Sequence, residues 1–217
     1  MRIDTFRRAI RLLGLVLPMT FLVSVAQGQA FGLAVNTKTV NQKSAYVVLP
    51  AGEATASNQN QSVSVPGVAA AQDLFAIVTG DADPTDGSNA VSSATLGVVN
   101  LLDGLITADG VVAMASSTIG GSAVSSNAEG SSLANLVVGG VLVSDPAPNT
   151  RMSLPGVGYV LLNEQRPTGD GVTTTGMTVN MIHVVLQEPV LGLLGQVTGY
   201  RTVGDIVVGS ATSSVTR

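Results

Sequence analysis

From about residue 31 onward, apolar positions recur with a period of two, and the helical period of 3.6 hardly surfaces. In residues 177–186 one set of alternate positions collects Asn180, Ile182, Val184 and Leu186. The other collects Val179, Met181, His183 and Val185. Both sets are largely apolar, which predicts a central strand covered on both faces. Residues 133–138 and 141–144 flank Gly139-Gly140, a connection whose glycines tolerate the positive φ angles of a tight hairpin. Turn signals at 50–52, 66–67, 81–89, 145–150, 155–156 and 167–171 cut the remainder into short apolar runs. This punctuation predicts an all-β, antiparallel sandwich-like single domain with little helix, and a β-solenoid is the alternative. Two stretches read as helical: residues 189–195, with Leu191, Leu193 and Leu194 covering an open end of the sandwich, and residues 69–75.

The first 30 residues break the pattern. Arg2, Arg7, Arg8 and Arg11 stand against one Asp4, followed by the apolar run 12–26 and then Gln27-Gly28-Gln29-Ala30. A membrane-spanning helix needs about 20 apolar residues, and this shorter run is interrupted by Pro18. The expectation is a cleaved secretory signal, with small residues that suit cutting after Ala26 or Ala30. Ala30 is taken as the boundary, leaving residues 31–217 as one domain. The Arg7-Arg8 pair invites a twin-arginine reading, but Arg11 stands where that signal wants an apolar residue, so general secretion is expected.

Removing that segment leaves six basic and thirteen acidic side chains, a net charge of −7. The six cations, Lys38, Lys43, Arg151, Arg166, Arg201 and Arg217, are scattered singly, which argues against nucleic acid and against anionic membrane surfaces. Cysteine is absent, which excludes disulfides, zinc thiolates, a cysteine nucleophile and a lipid attached through cysteine. Residues 207–217 form no apolar tail, so no membrane insertion is expected after cleavage. Aromatic residues are few, with no Trp and only Tyr46, Tyr159 and Tyr200 to offer a sugar-stacking platform, so the core must be aliphatic.

Candidate chemistry is sparse. Asp81, Asp83 and Asp86 gather in one Gly/Pro/Asp segment and are weak calcium candidates. Asp86 is one place late for a hand-type loop, Pro84 stiffens it, and Ser92 stands where a bidentate glutamate belongs, so a solvated turn is the expectation. His183 is the only histidine, and without a Gly-x-Ser-x-Gly elbow it is expected to be a partly buried strand residue with a hydrogen-bond partner. Glu164 could pair with Asp170, Glu188 or Asp205 in acid/base work on a sugar, and Glu164 with Asp205 is the least implausible couple. The expected role of the cluster 163–166 is to satisfy backbone groups at a strand end. No phosphate loop, dinucleotide fingerprint or zinc helix occurs in the sequence, so no catalytic residue and no cofactor is assigned.

Several segments, taken in order, resemble the choice-of-anchor P family of exported bacterial proteins. They are Ala-Phe-Gly-Leu-Ala-Val at 30–35, Asn-Leu-Leu-Asp-Gly-Leu-Ile-Thr-Ala-Asp at 100–109, and the stretch 149–156 ending Leu-Pro-Gly. Further along come Val-Leu-Leu-Asn-Glu-Gln at 160–165, Val-Asn-Met-Ile-His-Val at 179–184, and Gly-Asp-Ile-Val-Val-Gly-Ser-Ala at 204–211. The resemblance covers most of residues 30–215. It implies an exported domain with no transferable activity whose members end in different surface-attachment signals. This chain departs in ending without such a signal, and in having Ala115 and Ser213 near positions where many members carry cysteine. The expectation is a non-enzymatic extracellular or cell-surface structural or interaction protein whose surface or matrix partner is unknown. The alternatives are a secreted glycan-binding or glycan-active protein and a self-associating matrix or coat component.

Overall fold

The computed structural model describes residues 24–83 and 87–217, and every regular element in them is a β-strand. Seven strands form one antiparallel sheet: β1 (Val25–Asn36), β2 (Asn41–Ser44), β3 (Val47–Val48), β14 (Thr150–Leu154), β15 (Gly158–Thr168), β16 (Thr174–Leu191) and β17 (Val197–Thr216). Their spatial order is β14-β15-β16-β17-β1-β2, with β3 also on β1. The second sheet holds β4 (Thr55–Val65), β5 (Ala69–Asp83), β6 (Gly87–Leu96), β7 (Val99–Leu101), β8 (Ile106–Ala108), β9 (Gly110–Gly120), β10 (Ala123–Asn127), β11 (Ser132–Ala134), β12 (Leu136–Val138) and β13 (Val141–Val143). These are also antiparallel, in the order β10-β9-β6-β5-β7-β8-β12-β13, with β4 on β5 and β11 on β9. The two sheets pack face to face, giving the expected sandwich-like all-β domain in place of the solenoid alternative.

The sequence composition explains how the sheets meet. Ala30, Ala90, Ala94, Ala113, Ala115 and Ala211 are completely buried, and serine hydroxyls supply polar contacts between the central strands. Ser92 Oγ donates to the Thr212 carbonyl at 2.6 Å, and the Ser117 and Ser213 hydroxyls lie 2.8 Å apart. A Cβ at Gly28 would lie 2.8 Å from Ser92 Oγ, so even alanine is too large there. Small side chains let the central strands approach closely, while Leu33, Leu74, Leu101, Ile106, Leu136, Leu162, Ile182 and Ile206 fill the remaining space.

The strict alternation expected for residues 177–186 does not hold. Val179, Met181, Ile182 and Val184 all belong to the core, so two adjacent residues, Met181 and Ile182, face inward. The same inversion crosses the sheet along the row Asn163, Met181, Gly209 and Gly32, where bridging lapses at one position and resumes in the same register on the other side. Asn163 (φ 49°) and Gly209 (φ 62°) supply left-handed backbone at alternate strands of this crease. The four strands β15, β16, β17 and β1 invert at the same row, so the register between them survives. In β5, Asp73 (φ 54°) marks a matching break where the strand passes from β7 to β6.

Other expectations also shift. The Gly139-Gly140 hairpin is present with both glycines at positive φ, but residues 133–138 split at Asn135 (φ 49°) into β11 and β12, which pair with different neighbours. Neither helical stretch forms. Residues 69–75 lie in β5, where Ala69 and Ala71 are small enough to sit against the opposite sheet, and residues 189–191 continue β16. Among the described residues Leu191, Leu193 and Leu194 cover nothing, and all three are exposed.

Residues 1–23, which carry the body of the expected export signal, lie outside the described residues. The cleavage candidates fall within β1. Residues 27–30 pair with 211–214 of β17, Gln29 and Ala30 also pair with Val48 and Val47, and the Leu49 amide donates to the Gly28 carbonyl at 2.9 Å. A cut after Ala30 removes this paired, core-facing segment, whereas a cut after Ala26 keeps it. Of the two cuts, the one that leaves a chain starting at Gln27 is the expected one, as read by intact mass or N-terminal sequencing of a processed protein, and a start at Phe31 would refute this.

Candidate functional site

The inversion row carries the main polar cluster of the first sheet to its outer side. Phe31, Ser210, Asn180 and Glu164 are directly paired across β1, β17, β16 and β15, and all four are buried. Lys43 lies over both the Phe31 and Tyr46 rings, 4.6 Å from each centroid, and covers one end of the row. At the other end Glu164 is the hub. Asn180 Nδ2 donates to its Oε2 at 2.7 Å, His183 Nδ1 lies 3.0 Å from the same oxygen, and Arg166 binds Oε1. Ser210 Oγ donates to Asn180 Oδ1 at 2.7 Å and so extends the chain by one link. Asn180 and His183, three residues apart, reach one carboxylate only because the strand inverts between them.

Burial pushes the Glu164 carboxyl up, but hydrogen bonds from His183, Asn180 and Arg166 and the His183 charge outweigh it. The result is a pKa of about 2 in place of 4.5. An ionised carboxylate only accepts, so His183 Nδ1 carries the hydrogen. Here the strand-end expectation for Glu164 is corrected: side chains hold it, not backbone amides. Its neighbours do serve the backbone, Asn163 Nδ2 donating to the Pro146 carbonyl and Asn149 Oδ1 accepting from the Gln165 amide.

The other carboxylates considered beside Glu164 are engaged elsewhere. Glu188 pairs with Lys38 at 3.2 Å and Arg201 at 3.1 Å, which lowers its pKa. Asp205 accepts from Asn36 Nδ2 at 3.2 Å. Asp170 closes its own turn by accepting from the Thr173 hydroxyl and the amides of Val172, Thr173 and Thr174, which lowers its pKa. Ser210 donates to Asn180, and among the described residues no hydroxyl bonds His183. Asp81 and Asp83 sit on β5, paired with Asn89 and Gly87, while Asp86 lies outside the described residues. Among the described residues no three metal-ligating side chains gather.

A second feature lies at the far end of the same sheet. β16 and β17 run on as a hairpin past the body of the sheet, with Gln187 to Leu191 paired to residues 197–202. Beside its base is an open groove of about 700 Å³, lined by Arg151, Leu154, Tyr159, Gln187, Pro189 and Tyr200 among others. The Arg151 guanidinium lies 4.0 Å from the Tyr159 ring centroid. Among the described residues no carboxylate pairs with this arginine. Two of the three tyrosines thus converge on one groove, a juxtaposition that spacing along the chain does not reveal. Comparison with family models, curated proteins and solved structures finds no match for this chain.

Proposed function

We propose that this chain is an exported bacterial protein of the choice-of-anchor P kind, acting outside the cytoplasm as a non-catalytic interaction protein. The observation that carries the reading is the groove at the hairpin base, where Arg151, Tyr159 and Tyr200 converge and where, among the described residues, no acid–base couple stands beside them. Aromatic rings and an arginine free of carboxylate partners suit recognition of a glycan or another extracellular polymer. The buried carboxylate Glu164 supports a structural role for the polar cluster, since its bonds go to neighbouring side chains and its candidate partners are engaged elsewhere. Fractionating the native host tests the location: the protein is expected in the medium or envelope, and a cytoplasmic pool of the uncleaved chain would overturn the reading. Binding of the purified protein to a glycan array, reduced at least tenfold by Tyr200→Ala, tests the groove, and an unchanged array profile would remove it.

A second reading, self-association into a matrix or coat, is favoured by β4. Its eleven residues pair only with β5 among the described strands and carry no charge and no proline, the usual protections of an exposed edge. Sedimentation supports this reading if Gln59→Lys dissolves an oligomer. A monomer at high concentration removes it.

A further inference from the structure

We infer that the tip of the β16–β17 hairpin docks the folded domain peripherally on an uncharged lipid surface, with Leu193 and Leu194 entering the leaflet. Leu193 and Leu194 are 105% and 92% exposed, and Val190, Leu191 and Val197 beside them are also exposed. No charged side chain occurs from residue 189 to residue 200, and the first charges at the base, Glu188 and Arg201, are paired with each other. At about 3.3 Å per residue, Glu188 stands roughly 15 Å behind Leu193. That exceeds the roughly 5–10 Å to which interfacial segments sink, so the leucines enter without dragging a charge below the headgroups. Tyr200, 69% exposed at the base, lies where an amphipathic ring suits the interface.

Part of the tip backbone is satisfied by the hairpin itself. Gly192 N donates to the Gln196 carbonyl at 2.8 Å and Gly195 N to the Gly192 carbonyl at 2.9 Å. Leu194 N is met by Gln196 Oε1 at 3.1 Å, and the Thr198 hydroxyl donates to the Val190 carbonyl at 3.0 Å. Water would satisfy these groups at an exposed loop in any case, whereas hydrocarbon demands that the chain satisfy them itself. A protein partner fits less well, because a stable interface buries about 800 Å² on each side and a hairpin tip of a few residues offers less. A leaflet needs no matching cavity. The acidic balance of the chain favours uncharged over anionic lipid.

The inference rests on the reading of the chain as one that acts outside the cytoplasm, and its test is separate from that of location. The processed protein, starting at Gln27, is floated with vesicles of pure phosphatidylcholine and of phosphatidylcholine mixed with phosphatidylglycerol. Binding to the pure vesicles is expected, unaffected by high salt, with a fall of at least tenfold for L193N/L194N, since burying two leucines carries well over tenfold in partition. The thermal midpoint of this surface variant should match the parent. No flotation with phosphatidylcholine overturns the inference and leaves the export reading standing. Two other outcomes also overturn it: binding that requires phosphatidylglycerol and disappears in salt, and loss of an oligomer in the variant without change in flotation.

Discussion

Replacing Glu164 with glutamine is expected to lower the unfolding free energy at neutral pH by about 3 kcal/mol, the equivalent of its pKa displacement. The carboxylate is buried and receives His183, Asn180 and Arg166. An amide in its place turns an NH2 group toward at least one of those donors and leaves them short of an acceptor. The pH dependence follows from the direction of the displacement. The folded-state pKa of about 2 lies below the ordinary 4.5, so the stabilisation is complete above pH 4.5 and is lost as pH falls toward 2. Urea unfolding of parent and E164Q at stepped pH should give a gap that is wide at pH 7 and closes between about 4.5 and 2. A gap of the same width at every pH would show that lost packing, and not the carboxylate charge, accounts for the change.

Gly209→Val should be as damaging for a different reason. Gly209 sits at φ 62°, where a side chain costs roughly 1–2 kcal/mol, and its Cβ would lie 2.7 Å from Val111 Cγ1 of the opposite sheet. Overpacking adds roughly 1–3 kcal/mol, so a total loss of about 2–5 kcal/mol is expected. Gly199 in the same strand has open space within 4 Å of where a Cβ would stand and no positive φ, so Gly199→Val serves as the control. Thermal unfolding of the two variants separates them, and equal losses would sink the idea that the crease depends on this glycine.

The fold class was legible because β-branched residues alternate between Gly/Pro/Asp turns, and that signal survives any local irregularity. The faces were not. Period two places Asn180 with Ile182, but the left-handed backbone at Asn163 and Gly209 inverts the sheet and sets Asn180 beside His183. A partial signal existed: glycines in the middle of the runs 30–35 and 204–211, and an asparagine in 160–165, all lie at one height. That height is defined by strand order, which local sequence does not contain. The Glu164 network was invisible for the same reason, since its members come from three strands. The leucines of residues 191–194 misled in another way, because apolar spacing reports a buried face only when something is present to bury it.

The pairing of β1 with β17 has a consequence for the timing of folding. Residues 25–36 find their partners at 205–216, at opposite ends of the sequence, and β16 and β2 then flank that pair. Contacts so remote along the chain form slowly, because a long loop must close before they contribute. While the chain is being synthesised, its first strand waits for its last, and the central ladder of the sandwich cannot assemble early. A translocation channel that accepts only unfolded chains would therefore meet this protein in a threadable state, with completion of the sheet deferred until its final strand has crossed.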